Sequence, residues 1–307
     1  MTITQHPMQY TSKDTINLDL AQIEAGLKTN WLGRSKQPNE FWQTIDSTNN
    51  RAIELARAGA AAGVIVIAGH QSAGRGRSGN SWLSPANTGL YLSFIARPKF
   101  AAEHIPVVTL VIGVAVVRAI QSCLGIKVGL KWVNDLIIDG KKVGGILAEY
   151  VSKAALSIKE RTNDSTRDIL NDTAQAALVI GIGLNLSSPK QELPVDLEQK
   201  MGFLESFMTG SVDQQFIDRN ELVVCLANEL EIALEQMQID LQLLLNQWRT
   251  YSVTIGAEIL AKVGNDNIIG QALDITDSGE LIVKTIQGNI TLAAGEISIR
   301  KPDGSYT

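Results

Sequence analysis

Up to about residue 250 the chain alternates helix-period apolar stripes with short apolar runs; beyond it only short runs rich in β-branched residues remain. In the first part the pattern predicts a helix over Leu18–Lys28, a short strand over Phe41–Ile45, and a helical segment from Asn50 to Ala58 that stops at Gly59. Ser47-Thr48-Asn49 stands where helix N-caps belong, because a side-chain oxygen there accepts from the first unpaired N–H groups. Apolar runs at Val64–Ala68 and Gly89–Ala96 predict buried strands. A helix is expected over Pro106–Leu124, with proline near its first turn and Gly125 just past its end. Leu136-Ile137-Ile138 and Val143–Tyr150 read as the arms of a β-hairpin, with Asp139-Gly140 supplying the turn. Ala177–Leu186 reads as another strand, and the stripe Val223, Leu226, Leu230, Ala233, Met237 as the core face of a helix. Two polar stretches, Val151–Gln175 and Ser187–Ser211, read as a long solvated loop and an irregular connection.

From Thr250 onward, five short runs (Val253–Ile255, Glu258–Ala261, Ile268–Ala272, Leu281–Val283 and Glu296–Ile299) alternate with turn clusters at Gly264–Asn267 and Asp277–Gly279. That spacing is typical of a small all-β barrel. The expected organisation is a first domain over 1–249, with residues 1–40 as a lead-in, and a second over 250–307, the linker lying near Arg249–Ser252.

Composition narrows the function classes. With 307 residues and a net charge of −5, the chain has no overall attraction to nucleic acid or to anionic membrane, so any anion site must be local. Met1–Asp14 lacks the apolar core of a signal peptide, and Pro106, Thr109, Arg118, Gln121 and Ser122 mark Ile105–Leu124 as a buried helix. Cys123 and Cys225 sit in apolar helical patterns as buried thiols. A cytoplasmic protein without membrane or nucleic-acid partners is expected. The three histidines and two cysteines offer no metal-ligand spacing, and neither a Gly-x-Ser-x-Gly elbow nor a Walker A loop is present.

The chemistry concentrates in two clusters. Gly74-Arg75-Gly76-Arg77-Ser78-Gly79 follows the Val64–Ala68 run. Glycines let backbone N–H groups approach a ligand, and guanidinium forks suit carboxylate and phosphate oxygens. The stretch fits an anion-holding loop, and also a basic turn between strands. The second cluster is Lys131-Trp132-Val133-Asn134-Asp135 followed by Lys141-Lys142-Val143-Gly144-Gly145. Across the hairpin Asp135 and Lys142 come close, either to hold Mg²⁺ and a phosphate or as a structural ion pair. Gly144-Gly145 within a strand suits a bulge or a backbone edge left bare for a ligand.

Together these clusters resemble the biotin protein ligases. The matching residues are Asp46-Ser47-Thr48-Asn49, Gln71 with Ala73–Arg77, Trp82 with Ser84-Pro85, Lys131-Trp132-x-Asn134-Asp135-Leu136, Lys142-x-x-Gly145-Ile146-Leu147-x-Glu149, Gly181–Asn185, and Gly295–Ser298 near the end. The resemblance implies an α+β fold: a class II aminoacyl-synthetase-like catalytic domain with a mixed sheet and helices, then a small SH3-like β-barrel. It implies that biotin and MgATP form biotinyl-5′-AMP, and that biotin then passes to a lysine of the biotin carboxyl carrier domain of acetyl-CoA carboxylase. Ser47, Thr48, Asn49, Gln71, Arg75, Gly76, Arg77 and Lys142 would contact biotin; Arg77, Trp82, Asp135, Lys142, Gly145 and Asn185 would contact ATP or the adenylate. Lys142, Arg75 and Arg77 would be catalytic, Asp135 a Mg²⁺ ligand, and the arginine loop a lid. Asn185 reads equally as a strand-ending turn residue, and Trp82 also as an anchor of the loop within the core.

The chain departs from the pattern of bifunctional family members at Ser78, Asn80 and Ser81, where further basic residues would stand. Too few residues precede the first matched strand for a winged helix-turn-helix, so no DNA-binding domain is expected. A lipoate ligase of the same superfamily and a biotin-sensing repressor are the alternative readings. Oligomeric state is left open.

Overall fold

A computed structural model of the chain describes residues 18–97, 102–152, 176–190, 192–208, 216–263, 266–294 and 297–301. The predicted loop at Val151–Gln175 lies almost entirely outside the described residues. The first body contains α1 (Leu20–Gly26), β1 (Glu40–Trp42), α2 (Thr48–Arg57), β2 (Ile65–Ala68), β3 (Gly89–Ala96), α3 (Ile105–Leu124), β4 (Gly129–Lys131), β5 (Asp135–Ile138), β6 (Lys141–Val151), β7 (Ala177–Asn185), α4 (Arg219–Ile239) and α5 (Leu241–Tyr251). Its seven strands form one mixed sheet in the order β1-β2-β3-β7-β6-β5-β4, with only the β1–β2 pair parallel. Asp139 (φ 47°) and Gly140 (φ 75°) both sit at positive φ, as a type I′ hairpin turn requires.

Alternation along β7 decides what each face of the sheet carries. Leu178, Ile180, Ile182 and Leu184 join the large core with α3, α4 and α5. Ala177 and Val179 face the other way, packing with Ala52 and Ala56 of α2, Val66, Ile95 and Val151. Continuing that second face, Gly181 lies under Asn49 in the first turn of α2, and Gly183 and Asn185 follow beyond the helix. The helix therefore covers one end of the face and leaves the other end open. α3 is long and apolar enough to cross a membrane by composition, yet 72% of its apolar window is buried inside the protein.

The second body is a five-stranded antiparallel sheet, β8 (Glu258–Val263), β9 (Asp266–Ile275), β10 (Leu281–Thr285), β11 (Gly288–Leu292) and β12 (Ile297–Arg300), ordered β11-β10-β9-β8-β12. The run Val253–Ile255, expected as a strand, is not one. Ser252 Oγ accepts from the N–H groups of both Thr254 and Ile255 and folds the run into a turn, while Thr254 Oγ1 accepts from Trp132 N at 2.9 Å. β11 had no signal because only Leu292 among its residues is buried. α5 was also missed, and the expected linker is helical through Tyr251. Asp240 ends α4 and caps α5 by accepting from Leu243 N. Arg249 then ties α5 to β9 through Asp274 (2.7 Å) and the Ile275 carbonyl (3.1 Å).

The segment before β1 is held by one buried carboxylate. Glu231 of α4 is 3% exposed and accepts from the N–H groups of Asn30 (2.5 Å), Trp31 (3.0 Å) and Leu32 (2.8 Å). Glu231→Ala leaves these donors without their acceptor, at a cost of about 1–3 kcal/mol for each that water cannot reach. Urea unfolding is expected to show a loss of about 3 kcal/mol, and a loss under about 0.5 kcal/mol would show that the carboxylate is dispensable.

Candidate functional site

The open end of the α2-side face is the floor of a cavity of about 590 Å³, within the range of small-molecule sites. Glycine makes this floor. Gly145 of β6 pairs with Gly183 of β7, and a Cβ on Gly183 would lie 2.7 Å from the indole of Trp82. At Gly181 a Cβ would lie 2.1 Å from Asn49 Oδ1. Two large side chains thus lie flat on a strip of backbone that any other residue would lift. Gly144-Gly145 is not a bare edge, since β6 pairs on both sides, but its pairing with β5 does shift register between Leu136 and Ile137. Gly181, Gly183 and Glu149 were not singled out as site residues, although glycine at alternate positions of an apolar strand was a readable sign of a stripped face.

At one end of the cavity the polar groups are neutral and buried. Ser47 caps α2, its Oγ accepting from Asn50 N at 3.4 Å. Gln71 Oε1 accepts from Thr48 N (2.8 Å) and its Nε2 donates to Ser84 Oγ (2.8 Å), fastening the loop to the start of α2. Ser93 Oγ stands 2.8 Å from Thr48 Oγ1 and 2.6 Å from Asn49 Oδ1, and Asn49 Nδ2 donates to Glu149 Oε2 at 2.8 Å.

The arginine stretch folds as a small hairpin. Arg75 pairs with Ser81, Gly76 N donates to Asn80 O, and Asn80 N donates to Arg77 O across Ser78 (φ 52°) and Gly79 (φ 75°). Ser78 and Gly79 thus form the corner of a second type I′ turn, closed by Asn80 and followed by Ser81. Its two arginines diverge. Arg75 closes a fork on Glu149, Nη2 to Oε1 at 2.7 Å and Nη1 to Oε2 at 2.9 Å, and Nη1 also reaches Asn50 Oδ1 at 3.0 Å. Arg77 reaches Asn134 Oδ1 (3.2 Å) and the Ala294 carbonyl of the second body. Burial lowers the Arg77 pKa below the usual guanidinium value, and Asp135 opposes that shift.

The other end of the cavity is cationic. Lys142 Nζ lies 2.5 Å from Asp135 Oδ1 and 5.1 Å from the centre of the Trp82 ring. Its backbone is gripped on both sides, by Asn185 Nδ2 donating to Lys142 O (3.1 Å) and by the Lys200 carbonyl accepting from Lys142 N (2.7 Å). Asn185, 4% exposed, therefore sets the position of Lys142 while also lining the cavity. The Trp82 indole N–H is buried with no hydrogen-bond partner among the described residues. Every residue expected to contact ligand lines this one cavity, with Lys131 and Arg300 added.

Lys131 sits on β4 opposite Asp135 and is 5% exposed. Burial pulls its ammonium down to about 7, against the attraction of Asp135 and with repulsion from Arg300 and Lys142. A lysine whose folded pKa lies below its unfolded value weakens the fold fully below about pH 7, and less as the pH rises toward the unfolded value of about 10.4. Replacing it by methionine should raise the Tm most near pH 6, and the gain should shrink by about pH 9. An equal gain at both pH values would show that Lys131 titrates as a solvated lysine.

Comparison with known proteins gives a consistent answer. The Biotin/lipoate A/B protein ligase family profile matches residues 41–158, and that of the Biotin protein ligase C terminal domain matches 254–300. The bifunctional ligase/repressor BirA of Bacillus spizizenii is 30% identical over 282 residues, covering 92% of this chain and 79% of that protein. The biotin–[acetyl-CoA-carboxylase] ligase of Mycobacterium tuberculosis is 28% identical, covering 83% of this chain and 89% of its own. The biotin protein ligase from Aquifex aeolicus in complex with biotin and ATP superposes with a TM-score of 0.67 at 26% identity, over 86% of this chain and 99% of that one. The fold is thus the biotin protein ligase fold, its second sheet consistent with an SH3-like domain, and the chain belongs to the biotin protein ligase family.

Proposed function

We propose that the cavity binds biotin and ATP side by side, forms biotinyl-5′-AMP, and passes the biotinyl group to a lysine of a biotin carboxyl carrier domain. One observation carries this reading: a buried neutral network and a cluster of cations occupy opposite ends of the same glycine-floored cavity. A ureido ring needs matched donors and acceptors without charge, which Ser47, Thr48, Asn49 and Gln71 offer. The carboxylate then reaches toward Lys142, where it meets the α-phosphate. A carboxylate oxygen attacks the α-phosphorus, the bond to the bridging oxygen breaks, and pyrophosphate leaves with that electron pair. Lys142 and Arg77 face the charge that builds on these oxygens, already placed by backbone hydrogen bonds and by burial. In the second step a neutral lysine amine attacks the acyl carbon, AMP departs, and the amine loses its proton.

Mg²⁺ enters as part of the ATP substrate. Among the described residues Asp135 is the single carboxylate lining the cavity, and they contain no group of three His, Cys, Asp or Glu that could cage a metal. One carboxylate beside phosphate oxygens and water is the usual protein share for this ion. We place the reaction in the cytoplasm, in keeping with two free cysteines. The relatives are biotin ligases, some of them combined with a repressor, and they favour the ligase reading over a lipoate ligase or a repressor without ligase activity.

Lys142→Ala is expected to slow biotin-dependent pyrophosphate release by about 10²–10³ with little change in Tm. A Tm drop that accounts for the whole activity loss would make the Lys142–Asp135 contact a structural ion pair instead. Arg77→Gly tests containment separately from chemistry. Arg77 joins the hairpin to Asn134 and to the second body, so its loss should free the activated biotin to label exposed lysines of serum albumin in the presence of ATP. Albumin that stays unlabelled while carrier labelling persists would remove the lid role.

A further inference from the structure

Glu149 takes no part in the scheme above, yet its carboxylate joins two segments of the site. Alternation along β6 puts it on the same face of the sheet as Gly145 and Leu147, just outside the cavity lining. Both of its oxygens receive the Arg75 fork, at 2.7 and 2.9 Å, and Oε2 also receives Asn49 Nδ2 at 2.8 Å. Planar two-point pairing of this kind fixes direction as well as distance. Because a carboxylate only accepts, it dictates that Asn49 turns its NH₂ toward β6 and its carbonyl oxygen toward Ser93. Arg75, in turn, is the first residue of the hairpin ladder and the partner of Ser81.

We propose that Glu149 is a positioning residue for biotin. It latches the base of the arginine hairpin through Arg75 and sets the orientation of the Asn49 amide. This rests on the reading of the cavity as a biotin site. The hairpin then has a fixed base at Arg75 and a separate contact near its tip at Arg77, so closure over the cavity needs only the tip to move. The pair is half-exposed, at 38% and 23%, so its effect lies in geometry more than in fold stability.

The test compares Glu149→Gln, Arg75→Gln and the double variant in the full chain. Glutamine keeps the size of the side chain and an acceptor for Asn49 but loses the charge. Without any ligand, trypsin should cut at Arg77 about three- to fivefold faster in Glu149→Gln than in the parent, with Tm nearly unchanged, because a half-exposed fork is worth up to about 1 kcal/mol. The biotin KM should rise about tenfold with kcat changed far less, and the double variant should be no worse than the weaker single one, since both remove the same contact. Glu149→Gln with parental cleavage and KM, or single effects that multiply in the double variant, would overturn the latch. A parent protein that releases no pyrophosphate with biotin would instead overturn the biotin reading, and the ligand-free cleavage rates would still decide whether Glu149 holds the hairpin.

Discussion

Everything at the site depends on a strip of sheet that carries no side chains. β6 and β7 place Gly145, Gly183 and Gly181 on one face just where α2 stops covering it, and Trp82 and Asn49 lie directly on that backbone. A methyl at Gly183 would sit 2.7 Å from the indole, well inside van der Waals contact, so the floor admits neither alanine nor a rotated strand. The same alternation that removes side chains on this face supplies Ile180, Ile182 and Leu184 to the core on the other. Cavity and core are therefore two readings of one strand register, and a slip by one residue would destroy both.

This explains what the sequence disclosed and what it withheld. Strands with strong apolar runs, the capped helix α2, the core helix α3 and the Asp139-Gly140 hairpin were legible because local chemistry and tertiary packing agree there. Val253–Ile255 misled because three β-branched or apolar residues do not outweigh a serine hydroxyl that captures two backbone donors. β11 was silent because an edge strand that buries only Leu292, with Ile290 partly covered, carries no apolar run. At the site, spacing alone brought Asp135 toward Lys142. It could not foresee the distinct uses of Arg75 and Arg77, which are set by carboxylate and carbonyl groups far along the chain.

The second body is joined to the first through polar contacts at the cavity itself. Trp132 donates through its indole to the Gly279 carbonyl and through its backbone to Thr254, Arg77 reaches Ala294, and Arg300 lines the cavity. The residues just before Asp135 thus link the second body to the cavity. The barrel is part of the cavity wall, and a change in its seating would be felt first by Arg77.

Charge gives these contacts their direction. Arg75 is neutralised by Glu149, whereas among the described residues Lys131, Lys142, Arg77 and Arg300 share the cavity with Asp135 as its one carboxylate. In a chain of net charge −5 that is a local excess of positive charge, while burial, more than repulsion from Arg300 and Lys142, brings Lys131 down to about 7. Such an excess costs stability when the cavity holds only water and is relieved when polyphosphate enters, so part of the folding free energy is held in reserve for binding. The neutral network at the other end has no such reserve: its hydrogen bonds are already satisfied by protein groups. An uncharged ligand group there would exchange partners at near-equal free energy, whereas an anionic group at the other end would meet a local excess of positive charge. The two ends of one cavity are therefore built for opposite tasks, discrimination at the neutral end and binding energy at the cationic end.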